Sequence, residues 1–256
     1  MRTGEKWTKE ETMVAMYLYC LIPFKKAAKD NKKVIYYANL LGRTPSAMAM
    51  KLGNLGSLDS SLREKGISGL KNHGKMEEII WKDFLEDKEA FIFEAEEIIA
   101  GLEGNTLEEK YPEIETRPSY LGEERERLVK TRINQNFFRK AVLTAYNGKC
   151  AITGLPIEEL LIASHIIPWA ANAQERLNPR NGICLNSLHD AAFDKGFITI
   201  DKNYEIINST KIKEFYDNAY VKDVFEAYEH KQIFIPKKFG PSLEAIEYHN
   251  DVIFLG

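Results

Sequence analysis

Apolar residues recur at helical spacing in the first part of the chain. The first apolar stripe consists of Met13, Met16, Tyr17, Cys20 and Leu21. These positions follow the three- and four-residue steps that put side chains on one face of a helix, so we expect the stripe to belong to the core. Thr8, with Glu11 three residues later, has the pattern of a capping box, which predicts that the helix begins near Lys9.

Two further helices are predicted on either side of a short turn. The second helix runs from about Lys33 to Leu41 and ends at Gly42, because glycine is favoured just past a helix C-terminus. Thr44 is placed to cap the third helix, and Pro45 takes its first position. Helix, short glycine-containing turn and helix is the pattern of a helix-turn-helix unit.

The segment at residues 41–52 would carry the recognition helix of such a unit, and Arg43, Ser46 and Lys51 are the side chains predicted to face DNA. Residues 7–11 also resemble the opening of Myb-like DNA-binding repeats. Any helical hairpin gives the same pattern, so a purely structural interpretation stays open beside DNA contact. A basic cluster between the first two helices is either a solvated face or a surface that tracks phosphates. It consists of Lys25, Lys26, Lys29, Lys32 and Lys33.

The first helical region ends in a polar stretch. Helical patterns continue at about residues 75–84 and 88–102, and residues 105–126 then lack periodicity and contain Pro112 and Pro118. Such a stretch is typical of a linker between domains. We therefore predict a helical DNA-recognition domain at 1–104, a linker at 105–126 and a C-terminal domain at 127–256.

The second half of the chain changes from helical patterns to strand patterns. Residues 160–169 form a β-rich run, residues 181–186 form a second short apolar run, and residues 187–194 have a helical pattern. A further strand is predicted at residues 196–201. Strand, loop, strand and helix is the order of a ββα unit, so the predicted fold class is α+β, with an all-helical N-terminal domain joined to a ββα C-terminal domain.

Composition narrows the possible classes of protein. Hydrophobic residues make up 44% and charged residues 29% of the 256 residues, as in ordinary globular proteins. The formal net charge of -3 gives no overall attraction to nucleic acid, although a local basic face remains compatible with it. Three cysteines argue against a disulfide scaffold. With no signal-peptide core and no apolar run of about 20 residues, we expect a cytoplasmic protein without membrane contact.

Three polar residues in the predicted ββα unit form an unusual combination. His165 lies in the first strand and is followed by Ile-Ile-Pro, Asn181 begins the second apolar run, and His189 lies in the predicted helix. A lone histidine in an apolar strand is more often a core residue. The three residue types at these separations are a much rarer pattern, which favours a site.

The stretch from about residue 132 to residue 201 resembles the HNH (ββα-metal) endonucleases, particularly the branch found among restriction endonucleases. The similar motifs are residues 132–139, residues 150–154, the three polar positions above and residues 196–201. The tail at residues 248–250 is similar but less distinctive. The resemblance implies that the C-terminal domain is an HNH nuclease domain.

The resemblance also implies roles for the polar residues. His165 would be the general base that takes a proton from the attacking water, which suits a side chain whose ordinary pKa is about 6.5. Asn181 would pin the hairpin and help to orient the base, with Asn178 and Asn186 as weaker candidates for that role. His189 would bind one divalent metal ion, which would contact the scissile phosphate and stabilise the leaving 3′ oxygen.

One position departs from the family pattern. Many HNH sites place an acidic or histidine metal ligand directly before the base, where this chain has Ser164, a poor ligand for a hard cation. Asp190 and Asp194 are nearby carboxylates that could complete the site, although neither stands four residues from His189. We favour Asp194 as a metal ligand because it lies in the family-like segment 193–196, with a helix-end or turn contact as the alternative.

Further ligands follow from the chemistry of the side chains. Arg139 and Arg180 are predicted to bind phosphate, although Arg180 could equally be an ordinary surface arginine. Oxygen and imidazole ligands favour Mg²⁺ or Mn²⁺ and permit Ni²⁺ or an inhibitory Zn²⁺ in vitro. Cys150 and Cys184 are too few for the four-cysteine zinc site of some HNH proteins, so we expect them in the core. No organic cofactor is expected.

The sequence therefore predicts a metal-dependent endonuclease of double-stranded DNA, whose N-terminal domain selects the target by sequence or by base modification. The resemblance implies a role in restriction or defence, and cutting two strands favours a homodimer. One alternative is a DNA-binding regulator with a degenerate HNH unit, favoured by Ser164 and opposed by the retention of His165, Asn181 and His189. The other is a toxin nuclease without sequence choice, opposed by the helix-turn-helix pattern.

Overall fold

The computed structural model of the protein describes residues 4–67, 73–112 and 123–256. The chain divides into two compact units, Met1–Phe137 and Phe138–Gly256. The predicted α+β class is confirmed, with helices in both units and two small sheets in the second. Residues 113–122 of the expected linker, including Pro118, lie outside the described residues. Among the described residues, no helix has the length and apolar character needed to cross a membrane.

The described part of the first unit consists of helices and connecting turns. Its helices are α1 (Lys9–Cys20), α2 (Lys32–Leu40), α3 (Pro45–Gly56), α4 (Ser60–Arg63), α5 (Lys75–Glu86), α6 (Lys88–Glu103), α7 (Leu107–Lys110) and the first part of α8 (Glu123–Ala145). A 3-10 turn at Phe24–Lys26 connects α1 to α2.

Helix α1 is the centre of the first unit. The predicted capping box is present, because Thr8 Oγ1 accepts from the Glu11 backbone N–H at 3.2 Å and Glu11 Oε2 accepts from the Thr8 N–H at 2.9 Å. Every residue from Glu11 to Cys20 is buried, and α2, α3, α5 and α6 pack around the helix. The predicted stripe is therefore part of a helix that is covered on all sides.

Helices α2 and α3 are joined by the predicted short turn. Gly42 adopts a φ of 66°, in the left-handed region where glycine has no steric penalty. Thr44 Oγ1 accepts from the Ala47 N–H at 3.1 Å, and Pro45 takes the first position of α3. Local sequence signals alone account for this connection.

The second unit contains two antiparallel hairpins and several short helices. Its strands are β1 (Leu161–His165), β2 (Gly182–Asn186), β3 (Ile198–Ile200) and β4 (Ile206–Asn208). Its helices after α8 are α9 (Ser187–Asp194), α10 (Thr210–Lys213), α11 (Ala219–Val224) and α12 (Leu243–Val252). Strand β1 pairs with β2 and strand β3 pairs with β4. The chain therefore forms the predicted order of strand, loop, strand and helix from β1 to α9.

The C-terminal helix α12 holds the end of α9 in place. His249 of α12 is buried and stacks on the Phe193 ring at a centroid distance of 3.8 Å. Its Nε2 donates to the Phe193 carbonyl oxygen at 3.0 Å, and its Nδ1 lies 2.8 Å from Thr199 Oγ1 of β3. Beyond α12, the Leu255 N–H donates to the Gly196 carbonyl oxygen at 2.9 Å. The C-terminal end of α9 is therefore held by contacts from α12 and from the residues that follow it, while Asp194 itself stays exposed to solvent.

Replacing Gly196 by alanine should destabilise the protein more than the same change at Gly154. The φ angles of Gly196 and Gly154 are 71° and 73°. Alanine at either position therefore incurs the steric cost of the left-handed region, about 1–2 kcal/mol. A Cβ at Gly196 would also lie 2.1 Å from the Ile253 carbonyl oxygen, whereas nothing lies within 4 Å at Gly154. This crowding should add about 1–3 kcal/mol. Urea denaturation of both variants measures the difference, and equal losses would contradict the close packing at Gly196.

Candidate active site

A cavity of about 370 Å³ opens in the second unit beside β1 and α9. Its polar and aromatic lining includes Ser164, His165, Trp169, Asp190, Asp194 and His249. These residues come from β1, from the loop that follows it, from α9 and from α12. The fold therefore gathers a histidine base candidate and two carboxylates around one space.

Two carboxylates on α9 line this cavity. Asp190 and Asp194 stand four residues apart, the spacing that places side chains on one face of a helix. The Ser164 hydroxyl on β1 donates to Asp194 Oδ1 over 3.4 Å. The loss of surrounding water raises the pKa of both carboxyls, the Ser164 hydroxyl opposes this rise, and the charge of Asp194 raises the pKa of Asp190 further.

The cavity has the donor chemistry for a hard divalent cation. Two carboxylates are oxygen ligands of the kind that Mg²⁺ and Mn²⁺ prefer, and desolvation raises the pKa of both. Across residues 4–67, 73–112 and 123–256, no group of three or more His, Cys, Asp or Glu side chains is arranged to hold a metal ion. Water and a phosphate oxygen would therefore supply the remaining ligands, as is common for Mg²⁺.

His165 is held with a defined tautomer. Its ring stacks on Phe138 at a centroid distance of 3.8 Å, and Trp169 packs edge-on at 5.5 Å. His165 Nε2 lies 2.9 Å from the Arg176 carbonyl oxygen, and because a carbonyl only accepts, Nε2 carries the hydrogen. Burial lowers the pKa of His165, and the contact with Arg176 opposes this only in part. The ring is thus neutral near pH 7, with the lone pair on Nδ1 available to take a proton.

Asn181 fastens the loop between β1 and β2. The side chain is 1% exposed, and its Oδ1 accepts from the Ile167 N–H at 2.7 Å. Its Nδ2 donates to the Ile167 carbonyl oxygen at 3.0 Å and to the Glu175 carbonyl oxygen at 3.2 Å. Because Arg176 follows directly after Glu175, this amide fixes the carbonyl that contacts His165.

The structure places His189 away from the cavity, contrary to the expectation that it shares a metal site with Asp194. His189 is 3% exposed, and its Nε2 donates to the Val224 carbonyl oxygen at 2.8 Å. Its Nδ1 lies 3.0 Å from Asn186 Oδ1, the same atom that caps α9. Adjacent helix residues point about 100° apart, so a helix that turns Asp190 toward the cavity turns His189 away.

The two arginines predicted to bind phosphate lie in different surroundings. Arg139 of α8 donates to the Leu161 carbonyl oxygen at 2.6 Å and to the Glu158 carbonyl oxygen at 3.1 Å. Its guanidinium thus holds the start of β1 to the helix, and its phosphate contact remains a prediction. Arg180 is half-buried in the 3-10 turn before β2, and its phosphate contact remains a prediction.

The expectation that Arg43 and Lys51 face DNA is contradicted by their burial. Arg43 is 2% exposed and forms an ion pair with Glu11, with an Nη2 to Oε2 distance of 2.7 Å. Lys51 is 7% exposed and pairs with Glu77 at 2.6 Å. Both side chains therefore form ion pairs inside the first unit. Ser46, by contrast, is exposed at the start of α3, and its contact with DNA remains a prediction.

Phe138 and Gly182 support the His165 ring, and neither was among the predicted site residues. Gly182 pairs with His165 across the hairpin. A Cβ on Gly182 would lie 2.3 Å from Val142 Cγ2 and 3.0 Å from Phe138 Cζ, so only glycine allows α8 to approach β2 this closely. The signal in the sequence is a glycine opposite a strand histidine, which becomes visible only when the strand register is known.

Comparison with known proteins agrees with the geometry of this region. No curated protein matches the chain. Residues 150–201 match the model of a family described as HNH endonuclease, over about a fifth of the 256 residues. The matched segment contains β1, β2 and α9, with His165, Asp190 and Asp194. Residues 150–201 are thus similar to the HNH endonucleases, and this similarity supports a nuclease activity, which is a hydrolase activity.

Proposed function

We propose that the protein is a metal-dependent endonuclease that hydrolyses phosphodiester bonds in double-stranded DNA. The observation that carries this proposal is the cavity in which neutral His165 accompanies two carboxylates spaced four residues apart on α9. A base and a place for a divalent cation are the two requirements of in-line phosphodiester hydrolysis by this class of site.

In the proposed reaction, His165 Nδ1 takes a proton from water as the water oxygen attacks the scissile phosphorus. The bond between phosphorus and the 3′ oxygen breaks, and the 3′ oxygen gains a proton from solvent. Asp190 and Asp194, the latter oriented by the Ser164 hydroxyl, would hold the divalent cation, which when bound supplies positive charge to the phosphate and to the leaving oxygen. Asn181 keeps the Arg176 carbonyl in place, so that the proton of neutral His165 stays on Nε2.

Ser164 favours an active enzyme over a degenerate one. Its hydroxyl contacts Asp194, so it orients a proposed ligand instead of leaving the position before His165 without a role. The wider proposals are a restriction or defence role in the cytoplasm, a homodimer that cuts both strands, and target selection by the first unit. They rest on the resemblance to restriction endonucleases and on the paired helices α2 and α3.

Cleavage should require His165 and a divalent cation. With supercoiled plasmid and Mg²⁺ or Mn²⁺, His165→Asn should reduce the cleavage rate by about 100-fold or more, as expected when a general base is removed. His230→Asn is the matched control, because His230 is exposed and its left-handed φ of 59° suits asparagine. Wild-type cleavage in EDTA, or full activity of His165→Asn, would refute the proposed chemistry.

The metal site should depend on Asp190 and Asp194 and not on His189. We expect Asp190→Asn and Asp194→Asn each to weaken Mn²⁺ binding by about tenfold or more in isothermal titration calorimetry. His189→Asn should lower the melting temperature through lost buried contacts while Mn²⁺ affinity is retained. Asp251→Asn, at an exposed carboxylate of α12, provides the control. Loss of Mn²⁺ binding in His189→Asn alone would overturn this assignment.

The pH dependence of cleavage should reflect the lowered pKa of His165. Because burial favours the neutral ring, Nδ1 remains a base at pH values below the ordinary histidine value of about 6.5. With Mn²⁺ saturating at each pH, the rate should be constant above about pH 6.5 and fall tenfold per unit below the folded-state pKa. A midpoint above about pH 7 would show that the base is solvated or that another group limits the rate.

A further inference from the structure

Charge is divided unevenly along the first unit. Residues 1–75 contain 14 lysines and arginines but only 6 aspartates and glutamates. Residues 76–137 contain 8 basic and 17 acidic residues. The near-neutral total thus hides a strongly basic N-terminal segment, which carries α1 to α4. Such an asymmetry is typical of a surface that binds a polyanion.

The densest part of this positive charge lies between α1 and the start of α2. It consists of Lys25, Lys26, Lys29, Lys32 and Lys33, which are all exposed. Within the described part of the chain, no ion pair involves any of the first four, which we call the lysine segment. Two other lysines of the unit are neutralised, because Lys9 pairs with Asp83 at 3.1 Å and Lys110 pairs with Glu96 at 3.0 Å.

The stability of α2 does not account for the position of Lys32. This residue is the first of the helix, next to the positive end of the helix dipole, and the first turn contains no acidic residue. A cation at this end destabilises a helix, so Lys32 opposes local stability. An external anion bound to the lysine segment would remove that conflict.

Helix α3, which packs against α2, has no charge of its own to offer a polyanion. Its only charged residue is Lys51, which is buried against Glu77. The exposed positions Ser46 and Met50 are neutral. If α3 contacts base edges, the phosphate contacts that supply most of the affinity must come from elsewhere in the unit.

We propose that the lysine segment binds the phosphate backbone of duplex DNA and thereby supplies the electrostatic affinity of the first unit. This inference deepens the proposed function and rests on it, since the substrate of the nuclease is the polyanion concerned. Four lysines within eight residues, without carboxylate partners in the described chain, match the dense negative charge of a duplex.

The test measures DNA binding separately from cleavage. The full chain with His165→Asn is titrated into a labelled 30-base-pair duplex in EDTA, and fluorescence anisotropy is recorded between about 50 and 200 mM NaCl. One variant carries K25Q, K26Q and K29Q. The matched control carries K75Q, K82Q and K88Q, which remove the same charge from α5 and α6 in the same unit, at exposed Lys75 and Lys82 and at half-buried Lys88.

The lysine-segment variant should bind at least tenfold more weakly at the low-salt end. Its slope of log affinity against log salt should fall by up to about 2.7, since each lost phosphate contact removes about 0.9. The control should retain a slope close to that of the parent protein. Equal losses in both variants, no duplex binding by the parent, or a lysine-dependent preference for duplex RNA or anionic vesicles would overturn the proposal.

Cleavage assays distinguish this proposal from the proposed function. Lysine-dependent duplex binding without any metal-dependent cleavage by the wild-type protein would refute the nuclease and leave the binding surface intact. Metal-dependent cleavage, together with duplex binding that does not depend on the lysine segment, would refute only the proposed binding surface and not the nuclease.

Discussion

A single buried amide, that of Asn181 at the end of the loop between β1 and β2, bonds to two earlier points of that loop. It contacts the backbone of Ile167 at the start of the loop and of Glu175 near its middle. The next carbonyl, of Arg176, accepts from His165 Nε2, so the position of the His165 ring depends on this amide. Each such bond contributes about 0.5–1.5 kcal/mol, and leaving a buried partner unpaired costs about 1–3 kcal/mol. The loop and the tautomer of the base are therefore set together.

The rotation of helix α9 about its axis determines which of its side chains face the cavity. Its cap, Asn186, and its short length fix the rotation of the helix about its axis. With Asp190 and Asp194 turned to the cavity, His189 necessarily packs inward against the Val224 carbonyl. The four-residue spacing of the two aspartates is present in the sequence, and helical periodicity indicates that the two carboxylates share one face. The family pattern instead indicates the histidine.

Local sequence signals predicted the helix caps and turns better than they predicted which side chains are exposed. The Gly42 turn and the Thr44 cap follow from backbone preferences of single residues, and the structure has both. The burial of Arg43 and Lys51 could not be predicted this way, because their partners come from other helices. Glu77, for example, reaches Lys51 from α5, 26 residues along the chain. Whether a lysine or arginine side chain is exposed or buried depends on tertiary contacts, and no short window of sequence contains them.

We propose that the cavity beside His165 holds a catalytic cation on the carboxylates of α9. Anomalous diffraction from crystals grown with Mn²⁺ locates such an ion directly, without reference to any activity. We expect an anomalous peak within bonding distance of Asp190 and Asp194, at about 2.0–2.3 Å from their oxygens. His165 Nδ1 should face the same space. A peak on a ring nitrogen of His189, with Asp190 and Asp194 free of metal, would contradict it.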